Sequence, residues 1–421
     1  MATGLDTATV DPEVSERGRR RVRWPVVLLT LAGALLLLSL VRIATGADDI
    51  TSSGTLNATL ALSVPIGLAG LGGLWAERAG VVNIGLEGML ILGTWGAGFA
   101  GYQYGPWAGV AMAVLMGGLG GLVHALATVT FNVDHIVSGV AINILGLGAT
   151  QYLADVAFTG VPGGGASQSP PIADLPALSV PGLPGALAGV EEAGWPVVAE
   201  LAALLGALTD QVNALTILAV ALVVGSWWVL WRTPFGLRLR SCGENPYAAE
   251  SLGVPVLRYK YVAVVTSGAL AGLGGAFLAI VAASAYRDGQ TGGRGYIGLA
   301  AMIFGNWRPG GLAAGAGLFG YTDALQLRGG GESVHALLLL LGVLLTGLAV
   351  WQLRRGARVA AGLALTAAVL VLAWFALTDE VPGDFTTMAP YVTTLLVLSL
   401  ASQRLRPPAA DGLRYRPGES R

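Results

Sequence analysis

Apolar runs of about 20 residues recur along most of this chain, far more than one water-soluble core could bury. Each has the length of a helix crossing the ~30 Å hydrocarbon layer of a membrane. They fall at 24–44, 56–75, 85–103, 107–130, 136–157, 212–231, 261–283, 333–353 and 357–377, with a shorter run at 388–403. Lipid offers no hydrogen bonds to a backbone, so runs this long must close their own as helices. Composition agrees: 54% of the 421 residues are hydrophobic and 12% charged, against about 25% charged in soluble domains. Glycine contributes 63 residues, about twice its usual share, and small residues let helices approach where lipid gives no hydrophobic drive. Between 296 and 328 the stretch Gly305-Asn306-Trp307-Arg308-Pro309-Gly310-Gly311 breaks the pattern into two unequal helices. The expected fold is all-α, a polytopic integral membrane protein with about 10–11 membrane segments, including a broken or re-entrant hairpin.

Several function classes are excluded early. Cys242 is the single cysteine, so no intramolecular disulfide or cysteine metal cluster can form. His124, His135 and His335 are scattered without metal-ligand spacing, and no metal or other cofactor is expected. A phosphate-binding loop needs lysine, but the sole lysine is Lys260, between two tyrosines. No serine has a plausible His/Asp partner set. The chain reads as a non-enzyme, and if transport consumes ATP a separate polypeptide must hydrolyse it.

Arginine orients the spans. Arg17, Arg19, Arg20, Arg21 and Arg23 precede the first run; Arg232, Arg238, Arg240, Arg258 and Lys260 fill the 232–260 loop. Arg354, Arg355 and Arg358 lie in a short connection, and Arg404, Arg406, Arg414, Arg416 and Arg421 in the tail. One alternating topology puts all of them in the cytoplasm, with both termini inside. It divides the chain into a basic cytoplasmic tail (1–23), a transmembrane domain (24–403) and a cytoplasmic tail (404–421). The first run exceeds a signal peptide's apolar core and no cleavage motif follows, so a retained helix is expected. The extracytoplasmic Pro/Gly-rich loop, 158–211, carries prolines at a density that argues against regular helix, apart from a short surface helix near 197–208. A loose linker and an ordered docking surface both fit it. Leu-Ala-Gly-Leu-Gly-Gly at 68–73 recurs at 270–275, in the opposite sense across the membrane, as inverted repeats would.

Two polar segments carry functional information. Glu77, Arg78, Asn83 and Glu87 interrupt lipid-compatible sequence, where unpaired polar groups would cost several kcal/mol. Glu77 and Arg78 fall at the inner end of a span and suit a structural ion pair or interface contact. Asn83 and Glu87 continue into the next helix; capping backbone N–H groups and lining a polar path both explain them. In the 232–260 loop, Asn245 is a cap, Pro246 suits a first helical position, Tyr247–Leu252 gives about two turns, and Gly253 suits the left-handed end. So rigid a helix between spans fits a coupling element. Asp134 is expected to cap the helix after it, and Asp155 and Asp323 to reach the outer interface. Trp227, Trp228 and Trp231 beside Arg232 look like an interfacial anchor.

Taken together these residues resemble the permease subunits of bacterial ABC importers for nucleosides, within the group that includes simple-sugar and branched-chain amino-acid permeases. The resemblance rests on Ser-Val-Pro-Ile-Gly-Leu-Ala-Gly-Leu-Gly-Gly-Leu-Trp-Ala-Glu-Arg-Ala-Gly-Val-Val-Asn-Ile-Gly-Leu-Glu-Gly (63–88) and Val-Ser-Gly-Val-Ala-Ile-Asn-Ile-Leu (137–145). It continues through 232–246, Gly-Arg-Gly-Tyr-Ile-Gly-Leu-Ala-Ala-Met-Ile-Phe-Gly-Asn-Trp (293–307) and Pro-Tyr-Val-Thr-Thr-Leu (390–395). It implies a second related permease subunit, as a heterodimer. It also implies cytoplasmic ABC ATPase subunits docking on 241–253, an extracytoplasmic substrate-binding lipoprotein, and residence in the bacterial cytoplasmic membrane. Polarity and predicted depth make Asn83, Glu87, Asn143 and Asn306 the candidate substrate-path residues, since amides can meet ribose hydroxyls and base edges without charge. ATPase coupling would use Gly243, Glu244, Asn245, Pro246, Ala249 and Glu250. The helix at 24–44 and the hairpin at 333–377 look like peripheral additions to the shorter family core. A simple-sugar or branched-chain amino-acid permease, or an ion-coupled secondary transporter, remains the alternative.

Overall fold

The computed structural model describes residues 24–386, 388 and 405–418. The basic tail expected at 1–23 and, but for Met388, the apolar run expected at 388–403 lie outside them. The described chain is helical: α1 (Trp24–Thr45), α2 (Ser53–Arg78), α3 (Leu86–Tyr104), α4 (Pro106–Ala125), α5 (His135–Phe158), α6 (Leu183–Glu192), α7 (Val198–Thr209) and α8 (Ala214–Arg232). There follow α9 (Pro234–Glu244), α10 (Pro246–Ser251), α11 (Val256–Ala276), α12 (Arg294–Phe304), α13 (Pro309–Arg328), α14 (Gly330–Arg354), α15 (Arg358–Leu377) and α16 (Gly383–Thr386). Leu126–Thr130 and Phe277–Ala282 prolong α4 and α11 as π-helical turns. The only strands among the described residues are the two-residue pair Ala177–Leu178 and Val212–Asn213, antiparallel.

Seven of the described helices are long and apolar enough to cross a membrane. Helices α3 and α13, at 19 and 20 residues, fall outside that set because helices packed in the interior need not be uniformly apolar. Helix α11 is the axis of the bundle: 78% of its apolar window is buried, against 17% for α15. It packs against α2, α3 and α4. The α4–α11 contact is backbone to backbone, with Gly117 and Gly121 meeting Gly268 and Gly272, the close approach small residues allow. Helices α2 and α11, which carry the two Leu-Ala-Gly-Leu-Gly-Gly copies, pack closely, each copy against residues just before the other: Gly72 lies against Ser267 and Gly274 against Pro65. Helices α14 and α15 pair with each other, largely away from the bundle core.

The 158–211 loop is folded rather than loose. The expected short helix forms as α7, but α6 forms as well, despite the prolines. Pro184 sits in its first turn, where a missing N–H costs nothing. The pair is tied to α1 and α2: Glu191 accepts from the Ser53 N–H at 2.9 Å, Arg42 pairs with Glu200 at 3.4 Å, and Asn57 donates to Asp210 O at 2.9 Å. Two local signals act as the sequence suggests. Asp134 caps α5 through the Ile136 and Val137 N–H groups, and Asn245 caps α10 through the Ala248 N–H, with Gly253 left-handed at φ +79°.

Candidate functional site

The break between α2 and α3 is a re-entrant strand of backbone. After Arg78 the chain turns back through Gly80, whose φ is +80°, and runs without helix to Gly85. Helix α3 then begins beside Gly73: a methyl added there would lie 3.0 Å from Leu86 Cδ1. Leu86 therefore sits about five residues, ~7.5 Å, inward of the end of α2.

A buried extended segment must have its polar backbone satisfied, and side chains from distant helices do this. Lys260 Nζ donates to Gly80 O at 3.3 Å. The Val82 N–H donates to His135 Nδ1 at 3.2 Å. His124 Nε2 lies 3.0 Å from Val82 O and its Nδ1 2.9 Å from Ser138 Oγ; because a carbonyl only accepts, Nε2 carries the proton and Nδ1 accepts from the serine. Asn83 is fully buried. Its Oδ1 accepts from the Gly85 N–H at 3.0 Å and its Nδ2 donates to Ser267 Oγ at 2.8 Å. The three histidines looked scattered in sequence, yet two of them hold the two backbone polar groups of one residue, Val82.

Helix α12 is a half-helix. Its 11 residues span ~16 Å, about half the hydrocarbon thickness, and Gly298 packs on Gly70, so it starts well inside the bundle. Its N-terminus lies against the start of α3. Glu87 Oε1 accepts from the Gly293 N–H at 3.0 Å and Oε2 from the Gly295 N–H at 2.6 Å. Glycine is required at both positions: Gly293 has φ +79°, and a Cβ on Gly295 would meet the Glu87 backbone at 2.6 Å. Asn143 from α5 closes the knot. Its Oδ1 accepts from the Gly88 N–H at 2.8 Å, while its Nδ2 donates to Ile84 O at 3.0 Å and to the Tyr296 hydroxyl at 2.9 Å. Tyr296 is 47% exposed. Asn83, Glu87 and Asn143 are thus brought together, with Tyr296 and Ser267, which sequence reasoning did not single out.

Asn306 does not join them. It lies at the far end of α12 with φ +55°, and its Oδ1 accepts from the Arg406 N–H at 2.8 Å. Polarity suggested depth there, but the segment is a turn at the end of the bundle. Glu77 and Arg78 do not pair with each other either; both engage the neighbouring turn. Trp307 Nε1 donates to Glu77, and Arg78 donates to Trp307 O at 3.0 and 2.7 Å. The ion pair of Arg78 is with Glu244, at 3.9 Å. Its guanidinium and that of Arg240 lie 5.4 Å from the Trp231 centroid, so Trp231 is an interior contact, while Trp227 stacks with Arg232 at 5.3 Å. Asp323 pairs with Arg294 at 3.6 Å rather than with solvent. No group of His, Cys, Asp and Glu able to hold a metal occurs among the described residues.

Residues 55–349 match the family described as branched-chain amino acid transport system / permease component. The match ends inside α14, so part of the hairpin read as an addition is shared. The chain is 33% identical to the guanosine ABC transporter permease protein NupQ of Bacillus subtilis over 86% of its own length and 96% of that protein. It is 30% identical to the nucleoside ABC transporter permease protein NupC of Lactococcus lactis, over 85% and 94%. Against the protein of Haloferax volcanii named putative glucose ABC transporter permease protein TsgC13, identity is 36% over 66% and 78%. No solved structure matches.

Proposed function

The chain belongs to the branched-chain amino acid transport system / permease component family, and from that premise we propose that it is the membrane-spanning permease subunit of an ABC importer carrying nucleosides by alternating access. The observation that carries the substrate class is the near full-length similarity to relatives named for guanosine and nucleoside transport. A relative named for glucose transport is more identical, at 36%, but matches 66% of this chain and 78% of its own length, so it is the extent of the match that favours nucleosides. The knot at the two helix starts supports a path there. Asn143 is half-buried and Tyr296 half-exposed. Polar groups facing hydrocarbon would cost several kcal/mol, so this face of α5 and α12 belongs against a second permease subunit with solute between them. In this reading Asn143 and Tyr296 meet the solute, and Asn83 and Glu87 hold the helix starts that shape the path.

The remaining assembly follows the same reading. Arg78, Arg240, Lys260 and the 405–418 segment gather at one end of the bundle. We assign that end to the cytoplasm, with both termini inside and the protein in the bacterial cytoplasmic membrane. A separate ABC ATPase hydrolyses ATP and docks on α10 through the Gly243–Glu250 region; a lipid-anchored binding protein delivers solute to the opposite face; and the second permease subunit is a related chain, making a heterodimer. The boundaries proposed for the membrane domain are 24–403.

The test is reconstitution of all subunits in proteoliposomes. Labelled guanosine uptake is expected to require ATP, to be competed by other nucleosides and not by glucose or leucine, and to show a raised KM in Asn143→Ala. Uptake driven by an ion gradient with this chain alone, or competition by glucose and not by nucleosides, refutes the proposal.

A further inference from the structure

The segment 405–418 is threaded along the proposed ATPase-facing end of the bundle and touches two elements otherwise joined only through the bundle. At its start the Arg406 N–H donates to Asn306 at the end of the half-helix α12, at 2.8 Å. Midway, the Ala410 N–H donates to Gly243 O at 2.8 Å and the Ala409 N–H to Glu244 Oε2 at 3.3 Å. Near its end the Gly418 N–H donates to Glu250 Oε2 at 3.4 Å. Tyr415 anchors it, buried with Cys242, Ala249 and Val256, its ring 5.3 Å from that of Tyr247. The partners of the segment on α9 and α10 include the carboxylates that sequence reading assigned to coupling. Leu252 at the end of α10 and Leu413 on the segment are 84% and 56% exposed; Arg414, next to Leu413, and Arg258, in the first turn of α11, are exposed too.

We propose that residues 405–418 form, with α10, one composite docking surface for the ATPase subunit, and that this strap carries the movement of α10 to the end of α12. The inference rests on the permease reading above. Its physical basis is continuity: a partner seated on α10 cannot avoid a segment hydrogen-bonded to Gly243, Glu244 and Glu250. Apolar knobs beside arginines fit an apolar cleft with an acidic rim on the partner. Helix α12 starts against Glu87 and ends two residues before Asn306, so a pull on Asn306 moves the Gly293–Gly295 start on which the path is built. A rigid helix of three turns transmits that displacement along its axis.

The experiment uses the reconstituted complex. Ending the chain after Arg404 is expected to lower the affinity of the purified permease pair for the ATPase subunit at least tenfold, and to abolish stimulation of ATP hydrolysis by nucleoside-loaded binding protein. Tyr415→Ala, which leaves every span intact, is expected to do the same more weakly, while Tyr415→Phe keeps both. Asn306→Gly removes the acceptor and permits the left-handed backbone; docking within twofold of the unaltered chain and at least halved stimulation are expected. Unchanged affinity and stimulation in Tyr415→Ala and the truncated chain overturn the docking surface. Full stimulation in Asn306→Gly overturns the transmission. If the unaltered chain neither retains the ATPase nor responds to nucleoside, the permease reading itself fails.

Discussion

Replacing Glu87 by glutamine separates holding the helix starts from meeting the solute. The carboxylate accepts two N–H groups, from Gly293 and Gly295, at 3.0 and 2.6 Å. Bonds to a charged acceptor contribute ~1.5–3 kcal/mol each, and a neutral one ~0.5–1.5. Glutamine keeps one acceptor, now neutral, and turns an N–H toward the other donor, which costs a further ~1–3 kcal/mol as a buried unpaired group. The expected loss is about 3–8 kcal/mol of folding free energy, present without any substrate. The assay is unfolding of the purified chain by SDS titration in mixed micelles, read beside uptake in the reconstituted complex. Uptake lost with an unfolding free energy within about 0.5 kcal/mol of the unaltered chain would show that Glu87 acts on solute, and the capping argument would be wrong.

Three further outcomes are expected. A Cβ on Gly272 would lie 2.9 Å from Gly117 Cα, so Gly272→Val should prevent recovery of folded protein, whereas Gly347→Ala, with open space around it, should be neutral or stabilising by ~0.5–1 kcal/mol; thermal unfolding in detergent reads both. His124→Phe leaves Val82 O without its donor and should cost ~1–3 kcal/mol in the same measurement. Burial pushes the Asp411 carboxyl up to about 7, partly offset by Glu77, Lys260, the Gly412 N–H and Arg78. In a released strap the group titrates near ~3.9, so between about 4 and 7 the docked state holds the extra proton and docking weakens as pH rises. Protease accessibility of the strap should therefore increase toward neutral pH, and Asp411→Asn should flatten that profile.

What could be read from sequence was local. Caps at Asp134 and Asn245, the break at 305–311 and the apolar runs each depend on residues a few positions apart, where side-chain chemistry and helix period act directly. The polar run at 77–88 announced a constraint without its partners, because Glu87 bonds across 206 and 208 positions and Asn83 across 184. Nothing in the spacing of His124 and His135 shows that the backbone of Val82 lies between them. Asn306 was misplaced for the complementary reason: an amide in apolar surroundings looks buried until the turn that carries it is placed in space. Helix α6 was missed because proline counts oppose helix on average, yet a proline in the first turn does not.

The knot of helix starts also has an electrical consequence. Each N-terminus behaves as about half a positive charge, so the starts of α3 and α12 together present about +1 against the −1 of Glu87. The sum is close to zero. Glu87 is therefore balanced inside the bundle by backbone dipoles from two helices, not by a basic side chain.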